Sequence, residues 1–499
     1  MSTPTPVMIV GAGPVGLTLG SELLQRGIPV RLIEQAERPR PHAKAVLLWP
    51  RGIEALGRIG VAEEIVERGH ALQAQNYHSG ARRLARTRFD GLSGTRYPYA
   101  LSLSQEETEA VLRERFESLG GRIDFGVRLE SLKQTSHGAE AELSALGATW
   151  SETCSWVVGC DGAHSTVRES LGVALTGESR PQQFLLADSA CETTLAQDEA
   201  HYFMTPSGAL AVVGLPGGLY RICVSVPPDT RIDDALRLVR EAAAERCPVP
   251  LELVGEPRTG VFRVHRRAAE RFRIGKVMLA GDAAHIHGPA GGQGLNTGLE
   301  DASSLGWRLA QVIAGDSGAG VLDDWERERQ HVAQGVVDDT DLQTRLWTLK
   351  GWRRALRDAL IRVAQATGVL ERFVVPRQAQ LTLGYPGSRQ RHGAVRAGHR
   401  LPDIQLSGGH WLHRLLDPER PTLLLLASSS SVAAHQLSLE WAKEPRIDVL
   451  RVTGAEVRST LGMGGEAAVV VRPDGVVSWA GPLGGGALGS WLAARYPHA

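Results

Sequence analysis

The apolar positions of this chain fall into two kinds of run. Short continuous ones, Val7-Met8-Ile9-Val10, Val30-Arg31-Leu32-Ile33, Trp156-Val157-Val158 and Val277-Met278-Leu279, read as strands buried on both faces, as in a parallel sheet. Others recur at helical spacing: Leu17, Leu19, Leu23 and Leu24 before Gly27, and a stretch from Leu295-Asn296 to about Ile313. Between them lie strand-like segments, Ala209 to Val213 and Tyr220 to Val224. From 340 to 365, Leu346, Leu349, Trp352, Leu356, Leu360 and Val363 line one side of a predicted basic amphipathic helix, expected to pack on the body of the protein, with attachment to a membrane surface as the alternative. Helical pattern breaks at Tyr385-Pro386-Gly387. Beyond it a strand (Thr422 to Leu426), a helix from about Val432, Ile447 to Leu450, a strand (Ala467 to Val471), the Arg472-Pro473-Asp474-Gly475 turn and Val476 to Trp479 follow in order. Strands alternating with helices predict an α/β protein.

At 499 residues the chain is too long for one core, so two or three domains are expected. Acidic and basic side chains number 55 each, which argues against a nucleic-acid partner. No apolar stretch approaches the roughly 18 residues of a membrane span, no signal-peptide pattern opens the chain, and a cytoplasmic location is expected. Cys154, Cys160, Cys191, Cys223 and Cys247 show neither a CxxC pair nor ligand spacing, so they are expected to be small buried hydrophobes and no metal site is expected.

Candidate chemistry starts at Gly11-Ala12-Gly13-Pro14-Val15-Gly16, a G-x-G-x-x-G between the first strand and a helix. Gly11 permits the tight turn, Gly13 lets a pyrophosphate approach the backbone, and Gly16 lets helix and strand pack closely. The helix N-terminus offers unpaired N–H groups and the positive end of its dipole. Glu34, closing the second strand, can accept from ribose hydroxyls and repels a 2′-phosphate, so the site suits NAD or the ADP half of FAD. Two further strand-turn-helix units follow: Gly159-Cys160-Asp161-Gly162 leading to Ser165, and Ala280-Gly281-Asp282-Ala283-Ala284-His285, continued by Gly288-Pro289-Ala290-Gly291-Gly292-Gln293-Gly294.

These three motifs, in this order, resemble the class A flavoprotein monooxygenases, which include phenol, para-hydroxybenzoate and aromatic polyketide hydroxylases. The resemblance covers roughly residues 5 to 335, through Leu322 to Arg329. It implies a Rossmann-type FAD-binding domain (1–75, 100–180 and 265–385), an inserted β-sheet substrate domain (76–99 and 181–264) and a thioredoxin-like C-terminal domain (395–499). With no cysteine after Cys247, that last domain cannot do dithiol chemistry, and packing or assembly is its expected use. The resemblance also implies cofactor contacts from Gly11, Gly13, Pro14, Val15, Gly16, Glu34, Gln35, Gln105, Leu129, Asp161, Gly162, Gly281, Asp282, Gly292, Gly294, Leu295 and Asn296. Lys44 stands where the family usually has arginine; a lysine meets phosphate as a point charge rather than a bidentate fork. Pro289, whose carbonyl can face a phenol, and Arg51 are the catalytic candidates. Tyr97, His201, Phe203 and Tyr220 are the substrate candidates. His285 and His287 are read as structural.

What the resemblance implies is chemistry in which NADPH or NADH reduces FAD, O2 adds to give a flavin C4a-hydroperoxide, and a hydroxyl passes to a small aromatic substrate, phenolic or polyketide-like. Baeyer–Villiger oxygen insertion, hydroxylating inactivation of an aromatic antibiotic, and a non-catalytic flavoprotein that sequesters an aromatic ligand are the alternatives. An NAD-dependent dehydrogenase is disfavoured by the Gly-Asp motif and its glycine loop, and a halogenase by the lack of a W-x-W pair. A homo-oligomer is left open.

Overall fold

The computed structural model describes residues 5–39, 45–227, 230–288, 290–347, 349–387, 390–484 and 486–496, with only the backbone of 5, 179–182, 263–265 and 290. They form two compact units: 1–92, 97–303 and 333–380 in the first, and 93–96, 304–332 and 381–499 in the second.

The first unit opens with β1 (Thr5–Val10), α1 (Pro14–Leu24), β2 (Val30–Glu34) and α2 (Pro50–Arg58). The hairpin β3 (Ala74–Ser79) and β4 (Arg82–Arg88) precedes α3 (Gln105–Ser118), β5 (Ile123–Phe125), β6 (Arg128–Gln134), β7 (Ala139–Ala145) and β8 (Ala148–Gly159). Then come β9 (Leu175–Thr193), β10 (Glu199–Thr205), β11 (Gly208–Gly214), β12 (Leu219–Val226), α4 (Ala235–Arg246), β13 (Leu251–Ala269) and β14 (Val277–Leu279). Three long helices follow, α5 (Gly294–Ala314), α6 (Gly320–Trp347) and α7 (Gly351–Ala366), of which the stretch 304–332 belongs to the second unit.

Two sheets organise this unit. In the first, β14, β8, β1, β2 and β5 lie side by side and parallel, with Val7 opposite Trp156 and Val30, so all three apolar runs share one core. Helix α1 lies close on this sheet because Gly16 and Gly20 have no side chain: a Cβ on Gly16 would collide with the Gly11 carbonyl, and one on Gly20 would lie 2.6 Å from the Phe116 ring of α3. In the second sheet the order is β13-β9-β12-β11-β10-β3-β4, antiparallel except where β10 meets β3. Its α4-covered face holds Leu185, Phe203, Leu210, Val212, Tyr220, Ile222 and Val224 against Val239, Ala242 and Ala243.

The helix expected over 340–365 is broken. α6 ends at Trp347 and α7 starts anew at Gly351, whose φ is +58°, and the apolar side of α7 faces outward rather than onto the body. The cause is visible at Arg357, which is buried: it donates to the Leu346 carbonyl at 2.7 Å and pairs with Asp358 at 2.6 Å, so the polar side of α7 takes the inner position.

The second unit carries β15 (Thr422–Leu426), α8 (Val432–Trp441), β16 (Asp448–Val452), α9 (Ala455–Thr460), β17 (Ala467–Val471), β18 (Val477–Pro482) and α10 (Ala487–Arg495). Its sheet runs β16-β15-β17-β18, parallel at the first pair and antiparallel after it, with α8 and α10 on one face and α9 on the other. This is a thioredoxin-like arrangement. The Pro-Asp-Gly turn before β18 is buried: Asp474 accepts from Ser304 and Trp307, both at 3.2 Å, and pairs with Arg472 at 2.8 Å, while Arg308 pairs with Glu328 at 2.5 Å. That network holds residues 304–332 to the C-terminal sheet.

Candidate active site

A cavity of about 520 Å³ opens where β1 and β2 end, and it collects residues from five separate segments. Gly11 and Gly13 come from the first loop, Glu34 and Gln35 from the end of β2, Gln105 from the start of α3, Leu129 from β6, and Asp161 and Gly162 from the loop after β8. Gly11 adopts φ +103°, and a Cβ there would press 2.5 Å from the Cys160 carbonyl oxygen. Gly13 caps α1 without any side chain, Pro14 sits in its first turn, and a Cβ on Gly13 would meet nothing within 4 Å. The helix end is thus open towards the cavity, with N–H groups and no acid in its first turn.

Glu34 is held at the rim of this end, accepting from Ala12 N at 3.0 Å and Ala36 N at 2.9 Å. Gln105 opens α3, accepting from Ala45 N at 3.3 Å and donating to Glu109 at 2.7 Å. Burial pushes the Glu109 carboxyl up, and the charge of Glu34 adds to it. Asp161 accepts from Val167 N at 3.1 Å and is likewise raised by burial; Ser165 caps the short helix that follows, accepting from Arg168 N at 3.0 Å. Arg38, Glu109, Arg113 and His164 also line the cavity and were not among the expected residues. Glu109 and Arg113 were within reach of sequence reasoning, because they follow Gln105 at helical i, i+4 and i+8 spacing on α3.

Gly281, Asp282, Gly292, Gly294, Leu295 and Asn296 lie apart from that cavity lining, around the start of α5. Gly281 needs φ +62° and packs on Val15, whose Cγ2 would lie 2.8 Å from an added Cβ. Asp282 is exposed. The buried Asp301 accepts from Gly281 N at 3.0 Å and faces His285 Nε2 at 2.6 Å, so His285 braces the turn. Asn296 is fully buried, and its side chain ties two stretches of backbone together: it accepts from Trp49 N at 2.7 Å and donates to Leu47 and Gly292 carbonyls at 3.0 and 2.9 Å. Trp49 in turn donates from Nε1 to the Gly291 carbonyl at 2.8 Å. Two residues on, Arg51 is buried and pairs with Glu300 of α5 at 2.8 Å and with Glu54 at 3.6 Å. Lys44 and Pro289 lie outside the described residues.

Of the substrate candidates, Phe203 and Tyr220 sit in the core under α4, with the Tyr220 hydroxyl donating to the Leu195 carbonyl at 2.9 Å. His201 shares that strand face with Phe203, its Nε2 3.1 Å from the Ala196 carbonyl; burial lowers its pKa. Tyr97 is buried edge-on to Tyr99 at 6.3 Å. Strand alternation puts Tyr77, Tyr202, Ala211, Cys223 and Leu186 on the opposite face of the sheet in adjacent register. Tyr77 stacks on Tyr202 at 5.5 Å, and Tyr202 meets Trp347 of α6 at 5.4 Å. On the same face Gln75 donates to Gln378 at 3.0 Å, and Gln378 borders Gly291. This face therefore leads to the glycine loop before α5.

An open helix end beside an acid that closes the next strand, a second acid-glycine turn, and a glycine loop under an aromatic sheet face define a flavin-binding α/β enzyme site. Residues 4–340 match the family model described as FAD binding domain, and residues 394–494 that described as aromatic-ring hydroxylase, C-terminal. The chain is 32% identical to 6-methylpretetramide 4-monooxygenase of Streptomyces rimosus over 96% of its own length and 91% of that protein's. It is also 32% identical to a rifampicin monooxygenase of Streptomyces venezuelae, over 95% of each. Among solved structures, the anhydrotetracycline hydroxylase from Streptomyces rimosus superposes with a TM-score of 0.82 at 28% identity, covering 100% of both chains. The chain belongs to the FAD-binding-domain family of aromatic-ring hydroxylases. It is an FAD-dependent monooxygenase that uses NAD(P)H and O2. Among the described residues no helix is long and apolar enough to cross a membrane.

Proposed function

We propose that this enzyme hydroxylates a polycyclic, phenolic substrate of polyketide type, held against the sheet face that carries Tyr77 and Tyr202. The observation that supports this reading is the composition of that face: a two-tyrosine stack backed by Trp347 stands beside small side chains, Ala211 and Cys223. Flat aromatic rings pack well on such a surface, and small residues leave room for several of them. The names of the relatives, a pretetramide and a tetracycline hydroxylase, agree with it. The five unpaired thiols suit a reducing cytoplasm.

The residues at hand fit FAD. The uncapped start of α1 at Gly13 would take the pyrophosphate, Glu34 the adenosine ribose, Leu129 the adenine by its backbone, and Gln105 and Asp161 the stretch between them. Asp282 would meet the ribityl side. The start of α5 at Gly294 and Leu295 would present N–H groups to the electron-rich edge of the flavin. Asn296 would serve by backbone, since its side chain already ties the Leu47, Trp49 and Gly292 backbones together. When bound, FAD supplies the electron transfer from NAD(P)H to O2 on which oxygenation depends. The protein's part is to hold the ring and substrate in register and to exclude water. Arg51 acts as a brace between α2 and α5 through Glu300.

The test is NADPH and NADH oxidation by the FAD-loaded protein in air, with simple phenols and polycyclic aromatics. Stimulation by a polycyclic compound, with a product heavier by one oxygen, supports the reading. Stimulation by simple phenols alone moves the substrate class. Conversion of rifampicin would instead favour antibiotic inactivation, and tight binding without stimulation would mark a sequestering flavoprotein.

A further inference from the structure

Helix α7 and the turn after it display an apolar surface that the described residues leave exposed. Trp352 is 72% exposed, and Leu356, Leu360, Val363 and Phe373 are each more than half exposed, with Val369 and Val374 beside them. Trp352, Leu356, Leu360 and Val363 follow one another at i, i+4, i+8 and i+11, a single stripe on one helix face. The opposite side faces the protein. Arg357 is buried there and reaches Ser79, and Gln365 accepts from Arg86 N at 3.0 Å, so the β3–β4 hairpin lies under it. The helix is held with its polar side inward. Seven large apolar side chains are exposed along this one segment, unlike the hydrophobics scattered singly over an ordinary surface.

The charges around this patch decide what covers it. Exposed Lys350, Arg353, Arg362 and Arg372 lie along the same segment, and exposed Arg82 and Arg83 stand on the hairpin beneath it. Arg353 lies over the Trp352 ring at 5.6 Å, and Arg372 over Phe373 at 5.4 Å. The segment's two acids are only partly exposed and already engaged, Asp358 with Arg357 and Glu371 with Gln365. A two-fold pairing of this patch with itself would set one basic rim against another. An apolar centre of Trp, Leu and Phe inside an arginine and lysine rim matches a bilayer surface with anionic headgroups.

We propose that the α7 face is a peripheral membrane-docking surface selective for anionic lipid. The apolar stripe enters the headgroup boundary and the basic rim meets the lipid phosphates, with no segment crossing the bilayer. The test is flotation of the FAD-loaded full-length protein with phosphatidylcholine vesicles, with and without phosphatidylglycerol. Binding is expected to be about tenfold or more stronger with the anionic lipid, to weaken with added salt, and to be lost in the Leu356→Glu/Leu360→Glu variant. The variant's unfolding midpoint and NAD(P)H oxidation are expected to match the parent's, since both positions are exposed. No flotation, or equal flotation of parent and variant, overturns the proposal. A dimer in sedimentation velocity that the same variant dissociates overturns it too and assigns the face to a second copy of the chain.

Discussion

Two helices of this protein start in the same way and end up doing opposite things. Both α1 and α8 follow a strand of a sheet that contains parallel pairs, and both point an N-terminus away from that strand. At α8 the end is closed by its own residues. Ser431 accepts from Ala434 N at 3.3 Å and donates to Glu466 at 2.6 Å, while Ser428 donates to the other Glu466 oxygen from N at 3.0 Å and from Oγ at 2.9 Å. Those hydrogen bonds, Ser431's foremost, hold the Glu466 carboxyl below its usual range. At α1 the cap is Gly13, which closes nothing, and the acid that could have filled the end, Glu34, is kept at the rim by Ala12 and Ala36. A helix N-terminus becomes an anion site where the protein declines to cap it.

Four changes bear on that contrast. The largest expected effect lies where the second unit satisfies its own charges. Asp474→Ala leaves Arg308 and Arg472 buried with one partner fewer, and should cost about 3–5 kcal/mol in chemical denaturation while a folded fraction keeps its flavin. Next, Gly13→Asp converts the open end into a closed one. The new side chain has room, so the apoprotein should hold its midpoint, but FAD affinity should fall by about 100-fold, roughly 2.7 kcal/mol, in a fluorescence titration. Unchanged affinity would remove the pyrophosphate from this helix end.

Acid separates the regions by another route. Burial, with the charges of His201 and Arg83, pushes His78 down to about 4. Because the unfolded chain then binds the extra proton, stability is full above the ordinary histidine range and declines as pH falls from about 6.5 towards 4. The loss should be about 1–2 kcal/mol for this partly exposed ring, read as denaturation midpoints at about pH 7 and pH 5, and reduced in His78→Gln. The smallest effect should come from Ser431→Ala, about 1 kcal/mol from the lost cap of α8, with flavin binding unaltered.

Reading the chain alone found the parallel strands, the glycines between them and the order of the C-terminal elements, since each rests on a local pattern. It misplaced what depends on neighbours. The Asp474 turn reads in sequence as a hairpin turn and says nothing of its burial, which comes from Ser304, Trp307 and Arg308 far along the chain. Phe203 and Tyr220 looked like pocket residues, but strand register turns them under α4 and turns Tyr77 and Tyr202 the other way. Gln75 and Gln378 carried no signal at all, being paired across a separation of 303 residues.

The sequence by itself determined that a glycine turn opens α1 at Gly11 to Gly16 and that an acid closes the next strand at Glu34, because glycine spacing and strand length act within one turn of chain. It also determined that α7 is amphipathic. Only the tertiary structure decided which side of α7 faces outward. A helical pattern records two faces and no partner, and it was the burial of Arg357 against the Leu346 carbonyl and Asp358 that turned the apolar face to solvent.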